Sequence, residues 1–103
     1  MLDYLFTYGT LQDAQVQIYV FGKPLIGSID VLTGFQKTDA AVYQRYPLVI
    51  KTNQQEHEVE GVAYEVSEID LKKADIYETS AYKREKFQLK SGKWAWVYVE
   101  NSN

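Results

Sequence analysis

Every residue from 94 to 99 is apolar or aromatic, and this stretch constrains the fold more than any other part of the sequence. Alternate side chains of a strand point to opposite faces, so the aromatic side chains of the stretch share one face and the aliphatic ones share the other. A strand that is apolar on both faces is typical of the interior of a sheet. We therefore expect residues 93–99 to form a central strand.

A turn signal precedes this strand. Residues 82–90 and 93–99 have strand-like composition and flank Ser91-Gly92, a pair typical of a tight hairpin. A two-residue connection would place Phe87 opposite Trp96, so that aromatic side chains pair across the two strands. The sequence predicts a C-terminal hairpin with this register.

Four upstream segments also favour strands, because apolar, aromatic or β-branched residues are concentrated in them. They are residues 2–8, 25–35, 41–51 and 58–66. Tyr46-Pro47 indicates a bulge or an edge position in the third of them. Residues 12–21 fit either a short helix or an irregular segment, and the sequence leaves the choice open.

One helix is predicted, over residues 69–78. Ser67, followed three residues later by Asp70, is typical of a capping box at the start of a helix. The fold class is therefore α+β, a small mixed sheet that is strongly curved or barrel-like and carries one main helix. The chain of 103 residues has no repeat or linker, so we expect one domain over residues 1–103.

Charge and composition narrow the choice of function. The net charge of −3, with scattered basic residues, argues against nucleic acid as a partner. The absence of cysteine excludes disulfides, thiolate metal sites and a cysteine nucleophile. We find no pattern of a signal peptide or membrane span, so we expect a cytoplasmic protein with no membrane partner.

Glu78 occupies an unusual position on the predicted helix. Leu71, Ala74 and Glu78 are spaced to share one helix face, so a carboxyl group ends an apolar stripe. A carboxyl group held against an apolar surface has a raised pKa and can exchange protons near neutral pH. The alternative is that Glu78 lies past the helix end and is solvated. Asp75 and Glu78 are interpreted as a local solvated pair or as cap partners, and Arg84 as part of a surface ion pair.

Tyr8-Gly9-Thr10-Leu11 follows the first predicted strand. A glycine at the end of a buried strand can turn backbone N–H groups toward an anion or a carbonyl oxygen. The alternative is that Gly9 only turns the chain, because a four-residue motif is too short to be specific.

A metal site or a Ser-His-Asp arrangement has little support in this sequence. His57 is the only histidine and lies between Glu56 and Glu58 in a predicted turn. A metal site needs several ligand residues close together, and a catalytic triad needs a serine and an acidic residue beside its histidine. We expect a solvated histidine and no bound metal.

Several short motifs occur in an order that resembles the gamma-glutamyl cyclotransferase family, including its small gamma-glutamylamine cyclotransferase-like members. From the N-terminus they are Tyr8-Gly9-Thr10-Leu11, Tyr46-Pro47, Gly61, Asp75-x-Tyr77-Glu78, Tyr82-x-Arg84 and Trp96-Val97-Tyr98-Val99. Each motif is weak alone, but their order is specific and the similarity spans residues 2–99.

The resemblance implies a fold, a reaction and a site. The family's fold is a small mixed barrel with the site in a cavity at its side. Its members convert a gamma-glutamyl amine or gamma-glutamyl amino acid into 5-oxoproline and the free amine, with no metal or cofactor. By the match, Glu78 is the catalytic acid/base, Tyr8 to Leu11 hold the substrate, and Tyr98 lines the same cavity.

Two positions depart from the family's pattern. The family often has a basic residue directly after the Tyr-Gly-Thr-Leu loop and a glycine directly after the catalytic glutamate, whereas this chain has Gln12 and Thr79. Neither change removes the acid/base, so we expect them to alter pocket shape and substrate choice rather than the reaction.

Two non-catalytic alternatives stay open. One is a module that uses the same fold to bind a small metabolite or a partner's peptide. The other is an interaction domain whose Trp and Tyr stripe on the last strand forms a partner surface. The carboxyl group at Glu78 favours the enzyme. The sequence indicates neither an oligomeric state nor which gamma-glutamyl compound is used.

Overall fold

The computed structural model describes residues 3–42 and 46–100, and within residues 38–48 it describes only the backbone. Seven strands and two α-helices are found there. In chain order they are β1 (Asp3–Thr7), α1 (Ala14–Phe21), β2 (Gly27–Thr33), β3 (Phe35–Val42), β4 (Tyr46–Lys51), β5 (Glu58–Val66), α2 (Glu68–Glu78), β6 (Tyr82–Gln88) and β7 (Trp94–Glu100). A single 3₁₀ turn, Thr10–Gln12, lies between β1 and α1.

Five strands form one mixed sheet in the order β2-β5-β1-β7-β6. β1 and β7 run parallel, and the other neighbouring pairs run antiparallel. β3 and β4 form a separate two-stranded antiparallel sheet. The predicted α+β class with a mixed sheet is confirmed. Neither described helix is long and apolar enough to span a membrane.

The five-stranded sheet curls so that its two edges approach each other, but no strand pairing closes it into a barrel. The N–H of Lys90, just after β6, donates to the carbonyl of Val31 in β2 over 2.8 Å. Beside it, the Ser91 hydroxyl donates to the buried carboxylate of Asp30 over 2.6 Å. β2 and β6 are opposite edge strands that share no ladder. The sheet is therefore barrel-like but open.

β7 lies inside the sheet, as its apolar pattern predicts. It pairs with β1 on one side and β6 on the other. Ala95 and Val97 are fully buried, whereas Trp94 at the start of the strand is 56% exposed. The stripe of three aromatic residues is thus buried only in its later part.

The predicted hairpin register is wrong by one residue. Trp96 lies opposite Lys86, and Phe87 lies opposite Ala95. The connection contains three residues rather than two, because the N–H of Leu89 donates to the carbonyl of Lys93 over 2.7 Å. Gly92 adopts φ +100°, a conformation that closes such a three-residue turn and is easily reached only by glycine.

The segments predicted between residues 25 and 51 are also divided differently. Gly34, at φ +78°, separates β2 from β3, so the predicted strand 25–35 contains β2, this glycine and only the first residue of β3. β3 was not predicted because half of its sequence, FQKTDAAV, is polar, in one run from Gln36 to Asp39. Residues 46–51 of the predicted strand 41–51 form β4, and residues 43–45 lie outside the described chain. Tyr46-Pro47 opens β4, which pairs only with β3 and is therefore an edge strand, as predicted.

Both helices begin at a capping residue. Asp13 accepts hydrogen bonds from the N–H groups of Gln15 and Val16, so residues 14–21 form a helix, a choice that the sequence leaves open. Ser67 and Asp70 form the predicted capping box at the start of α2. The structure thus has a second helix beside the one main helix that the sequence predicts.

The sheet buries apolar side chains on both faces. Leu5 and Phe6, adjacent in β1, belong to different clusters. The first cluster includes Leu71 and Ala74 of α2, and the second includes Val49 of β4. β1 therefore runs between two packed layers. The loop that follows Thr7 starts from a strand that is packed on both faces.

Candidate functional site

A pocket opens where β1 ends, and its empty volume is about 380 Å³ including the part open to solvent. All six residues predicted for the site line it. They are Tyr8, Gly9, Thr10, Leu11, Glu78 and Tyr98. Phe6, Thr7 and Tyr82 complete the lining. Residues from the two ends of the sequence are thus brought to one place; we call it the loop pocket.

The loop contains backbone N–H groups that its own turn does not use. In the 3₁₀ turn, the first bond joins the N–H of Gln12 to the carbonyl of Gly9 over 3.1 Å. The N–H groups of Thr10 and Leu11 precede that bond and have no acceptor within the turn. The Leu11 side chain is buried and anchors the loop in the core. The loop is therefore a fixed element that offers N–H groups.

Two residues outside the loop hold its position. The side-chain amide of Gln12 donates to the carbonyl of Thr7 over 2.9 Å and ties the turn to the end of β1. Gly61, in the middle of β5, lies so close to β1 that a Cβ atom there would clash with the carbonyl of Thr7 and the ring of Phe6. This close approach explains a glycine at a position where most strands carry a side chain.

The tyrosine of the loop is buried and hydrogen-bonded across the sheet. The hydroxyl of Tyr8 donates to the backbone carbonyl of Tyr98 over 2.6 Å. Burial raises the pKa of Tyr8 strongly, and the nearby Tyr82 and Glu78 raise it further. Tyr8 stays protonated, so it acts as a wall and a hydrogen-bonding group rather than as a base.

Glu78 is the last residue of α2 and faces the loop pocket half-buried. Burial raises its pKa from 4.5 to about 7. The negative end of the helix dipole acts in the same direction at this position. The solvated alternative for Glu78 does not match this placement, which is the end of the apolar stripe of Leu71 and Ala74.

Asp75, one helical turn earlier, has a different environment. Arg84 donates to both of its carboxylate oxygens, from Nε over 2.6 Å and from Nη2 over 2.9 Å. The Tyr98 hydroxyl donates to Oδ1 over 2.7 Å. Burial opposes ionisation of Asp75, but the bonds from Arg84 and Tyr98 outweigh it and lower the pKa. The interpretation of Asp75 as a solvated partner of Glu78 is wrong, because Asp75 is bound to Arg84.

This network fixes one wall of the loop pocket. Tyr98 accepts from Tyr8 through its backbone and donates to Asp75 through its side chain. Burial, followed by the hydrogen bond to Asp75, raises the pKa of Tyr98, so it remains a donor. Arg84 also lies over the ring of Trp96, 4.6 Å from its centre. The ion pair predicted for Arg84 is confirmed, but it is a bidentate pair behind the site.

Sequence reasoning missed Phe6, Thr7 and Tyr82 as lining residues. Phe6 and Thr7 read as ordinary strand residues, and only their place beside the loop could have indicated the pocket. Tyr82 belongs to the Tyr82-x-Arg84 motif that carries the resemblance, but it was given no role in the site from the sequence. That motif was the available signal.

His57 lies in the turn before β5, where its ring nitrogen is 3.2 Å from the Thr52 hydroxyl. It does not line the loop pocket. Among the side chains that the structure describes, those of residues 3–37 and 49–100, no group of three His, Cys, Asp or Glu is arranged to hold a metal ion.

The loop pocket combines two chemical capacities. A carboxyl group with a pKa near neutrality can accept a proton and later return it. Fixed backbone N–H groups can hold a carboxylate or a developing oxyanion. The arrangement suits proton transfer on a small polar molecule that carries a carbonyl group.

Comparison with protein families gives one match across nearly the whole chain. Residues 5–103 match the model of the family described as gamma-glutamyl cyclotransferase, AIG2-like. A search of curated protein sequences found no significant match.

Solved structures resemble this one at low sequence identity. A protein from Arabidopsis thaliana aligns with a TM-score of 0.81 and 18% identity, over 97% of this chain and 62% of its own length. An AIG2-like protein from Mus musculus aligns with a TM-score of 0.70 and 21% identity, over 99% of this chain and 79% of its own. A gamma-glutamyl cyclotransferase aligns with a TM-score of 0.73 and 13% identity, over 98% of this chain and 68% of its own. This chain therefore spans less than two thirds of the Arabidopsis protein, and the likeness shows a shared fold.

Proposed function

Because this chain belongs to the gamma-glutamyl cyclotransferase, AIG2-like family, we propose that it releases 5-oxoproline from a gamma-glutamyl amine or gamma-glutamyl amino acid. Glu78 serves as the general acid/base in this proposal. The observation that carries it is the position of Glu78, half-buried in the loop pocket with a pKa raised by burial to about 7. A carboxyl group of that pKa is divided between its two protonation states at neutral pH.

The reaction begins with proton transfer to Glu78. Its carboxylate takes a proton from the substrate's α-ammonium group, and the free amine attacks the γ-carbonyl carbon of the same molecule. The new C–N bond closes the five-membered ring, and the amide C–N bond to the leaving group breaks. Glu78 gives its proton to the departing amine, and the second proton of the ring nitrogen passes to the same amine, which leaves as an ammonium ion. The enzyme therefore ends as it began.

The loop supplies binding and electrostatic stabilisation. The N–H groups of Thr10 and Leu11 are placed to hold the glutamyl α-carboxylate or the oxyanion that develops on the γ-carbonyl. Holding the glutamyl chain folded back makes the attack intramolecular, which can supply effective molarities of roughly 10⁵ to 10⁸ M. The shape of the pocket therefore contributes much of the rate. The side chains described need no added cofactor for these steps, and a cytoplasmic location is part of the same proposal.

The test measures release of 5-oxoproline from a panel of gamma-glutamyl amino acids and gamma-glutamyl amines. Chromatography detects the product. We expect at least one member of the panel to be turned over. Thermal unfolding is measured with the same compounds, because a ligand that binds only the folded state raises the unfolding temperature. Stabilisation without any release of 5-oxoproline would contradict the enzyme and identify a non-catalytic binding module.

A further inference from the structure

A second cavity adjoins the loop pocket and shares two of its walls, Tyr82 and Tyr98. Its empty volume is about 530 Å³ including the part open to solvent. Asp75, Thr79, Arg84 and Trp96 provide other walls. We call it the lateral groove. Thr79 directly follows Glu78 in the sequence, so the groove begins next to the carboxyl group that would protonate a leaving group.

The groove is rich in hydrogen-bond donors. An arginine side chain has five N–H donors, and Asp75 takes two of those of Arg84. Three N–H bonds of Arg84 are therefore left beyond that pair, on a side chain that is 20% exposed. The Asp75 carboxylate already accepts three hydrogen bonds, two from Arg84 and one from Tyr98, so its capacity to attract a cation is largely used.

Lys83 also lines the groove but adds little to its capacity to bind an anion. Its ammonium group lies 3.2 Å from the carboxylate of Glu85, and both side chains are almost half exposed. Arg84 is the less solvent-exposed of the two cationic side chains, at 20% against 44% for Lys83.

Thr79 has a backbone conformation that threonine rarely adopts. Its φ is +67° and its ψ is −177°, a region populated almost only by glycine. A β-branched residue there is strained, and such strain is typically kept where the side chain has a function. The Thr79 oxygen accepts from the N–H of Ala81 over 3.3 Å, and among the described residues no acceptor is found for the hydroxyl proton. The groove thus has a second donor beside Arg84.

We propose that the lateral groove binds the leaving group and selects one that carries a carboxylate, held by Arg84 and by the Thr79 hydroxyl. The inference rests on the proposed function and narrows it: the substrates are gamma-glutamyl amino acids rather than gamma-glutamyl amines. A carboxylate on a guanidinium group gains charge-assisted hydrogen bonds. An alkylamine leaving group offers nothing to these donors.

The test uses two substrates that differ only in the carboxylate, gamma-glutamyl-alanine and gamma-glutamyl-ethylamide. For the wild type, we expect kcat/KM to be at least roughly tenfold higher for gamma-glutamyl-alanine, the scale of one hydrogen bond to a charged group. The ratio of the two values is the readout. General damage to the loop pocket lowers both values together and leaves the ratio unchanged.

Two variants and a control locate the preference. Arg84→Gln should bring the ratio close to one. Thr79→Gly should lower it roughly three- to tenfold by removing one hydroxyl donor, and should raise the unfolding temperature by removing the strain. This second variant keeps the test decisive if Arg84→Gln does not fold. Lys90→Gln makes the same change of charge at a side chain paired with Glu58, outside the groove, and should keep the wild-type ratio.

Binding separates this inference from the proposed reaction. Calorimetry of both compounds with Glu78→Gln should show tighter binding of gamma-glutamyl-alanine, whether or not the wild type turns it over. Turnover of both substrates with equal kcat/KM would overturn the groove and leave the reaction standing. Tighter binding of gamma-glutamyl-alanine without turnover would uphold the groove and overturn the reaction. A ratio that neither Arg84→Gln nor Thr79→Gly changes would also overturn the groove.

Discussion

Asp75 and Glu78 are one helical turn apart on α2, yet their pKa values are shifted in opposite directions. Burial raises the pKa of Glu78 to about 7. Burial also acts on Asp75, but the hydrogen bonds from Arg84 and Tyr98 hold its pKa below the ordinary value. The difference is a partner: Asp75 has a bidentate cation, and no ion pair of the described residues involves Glu78. Spacing on a helix therefore does not decide what a carboxyl group does.

The comparison also assigns separate tasks to the two groups. Asp75 stays ionised and holds Tyr98, which forms a wall of both cavities. Glu78 has no ion-pair partner among the described residues, and its position in the loop pocket allows it to change its protonation state. A fixed charge beside a titrating carboxyl group is a common way to divide positioning from proton transfer.

The largest effect should follow from removing the titrating group. We expect Glu78→Gln to lower kcat for 5-oxoproline release by roughly 10² to 10⁴, the usual contribution of general acid–base catalysis. The far-ultraviolet circular dichroism should stay that of the wild type. Glu68→Gln, an exposed glutamate in the first turn of the same helix, is the matched control and should keep full activity. Wild-type activity in Glu78→Gln would remove the distinction between the two carboxyl groups.

The next effect is the pH dependence of stability. The folded state holds the Glu78 proton with a pKa of about 7, above the ordinary 4.5. The stabilisation from this proton is complete below about pH 4.5 and is lost as the pH rises through 7. The free energy of unfolding of the wild type should therefore fall relative to Glu78→Gln over this range, by at most about 3 kcal/mol. Urea unfolding of both proteins at a series of pH values measures this difference, and a constant difference would contradict the raised pKa.

Asp75, the carboxyl group paired with Arg84, should show the opposite dependence of stability on pH. Asp75→Asn removes the charge that Arg84 binds, and we expect a loss of roughly 1–2 kcal/mol at pH 7, reduced by the partial exposure of the pair. Because the pKa of Asp75 is lowered, this contribution is present above its ordinary pKa of 3.8 and disappears as the pH falls through the folded-state value.

Asp3→Asn is the control for this change. Asp3 is 39% exposed, close to the 42% of Asp75, but it makes a single contact to Lys86 at 3.2 Å. Its loss should cost under about 1 kcal/mol, as exposed ion pairs do. Urea unfolding measures both losses. Equal losses for Asp75→Asn and Asp3→Asn would show that the hydrogen bonds of Asp75 to Arg84 and Tyr98 stabilise the fold no more than an exposed ion pair does.

The sequence predicts features that depend on nearby residues. The capping box of Ser67 and Asp70, the interior position of β7 and the apolar stripe that ends at Glu78 each follow from spacing within one segment. The six residues predicted for the site line one pocket because their motifs lie at the ends of β1, α2 and β7. Their roles remain predictions.

Features set by a single backbone conformation or by distant contacts were missed or wrong. The positive φ of Gly92 adds a residue to the turn and shifts the hairpin register by one. β3 is held by pairing with β4, which its polar sequence does not reveal. The bond of Tyr98 to Asp75 joins residues 23 positions apart, and no local pattern encodes it. Such contacts require the fold itself.

The acidity of Glu78 is the central claim, and an NMR titration of its side-chain carboxyl carbon tests it most directly. The protein is labelled with ¹³C at glutamate, and Glu78→Gln identifies the resonance by its absence. A midpoint near pH 7 is expected, because burial raises the pKa to about that value and no ion pair of the described residues opposes it. A midpoint near 4.5, the ordinary value for glutamate, would show a solvated carboxylate and contradict the proposed acid/base.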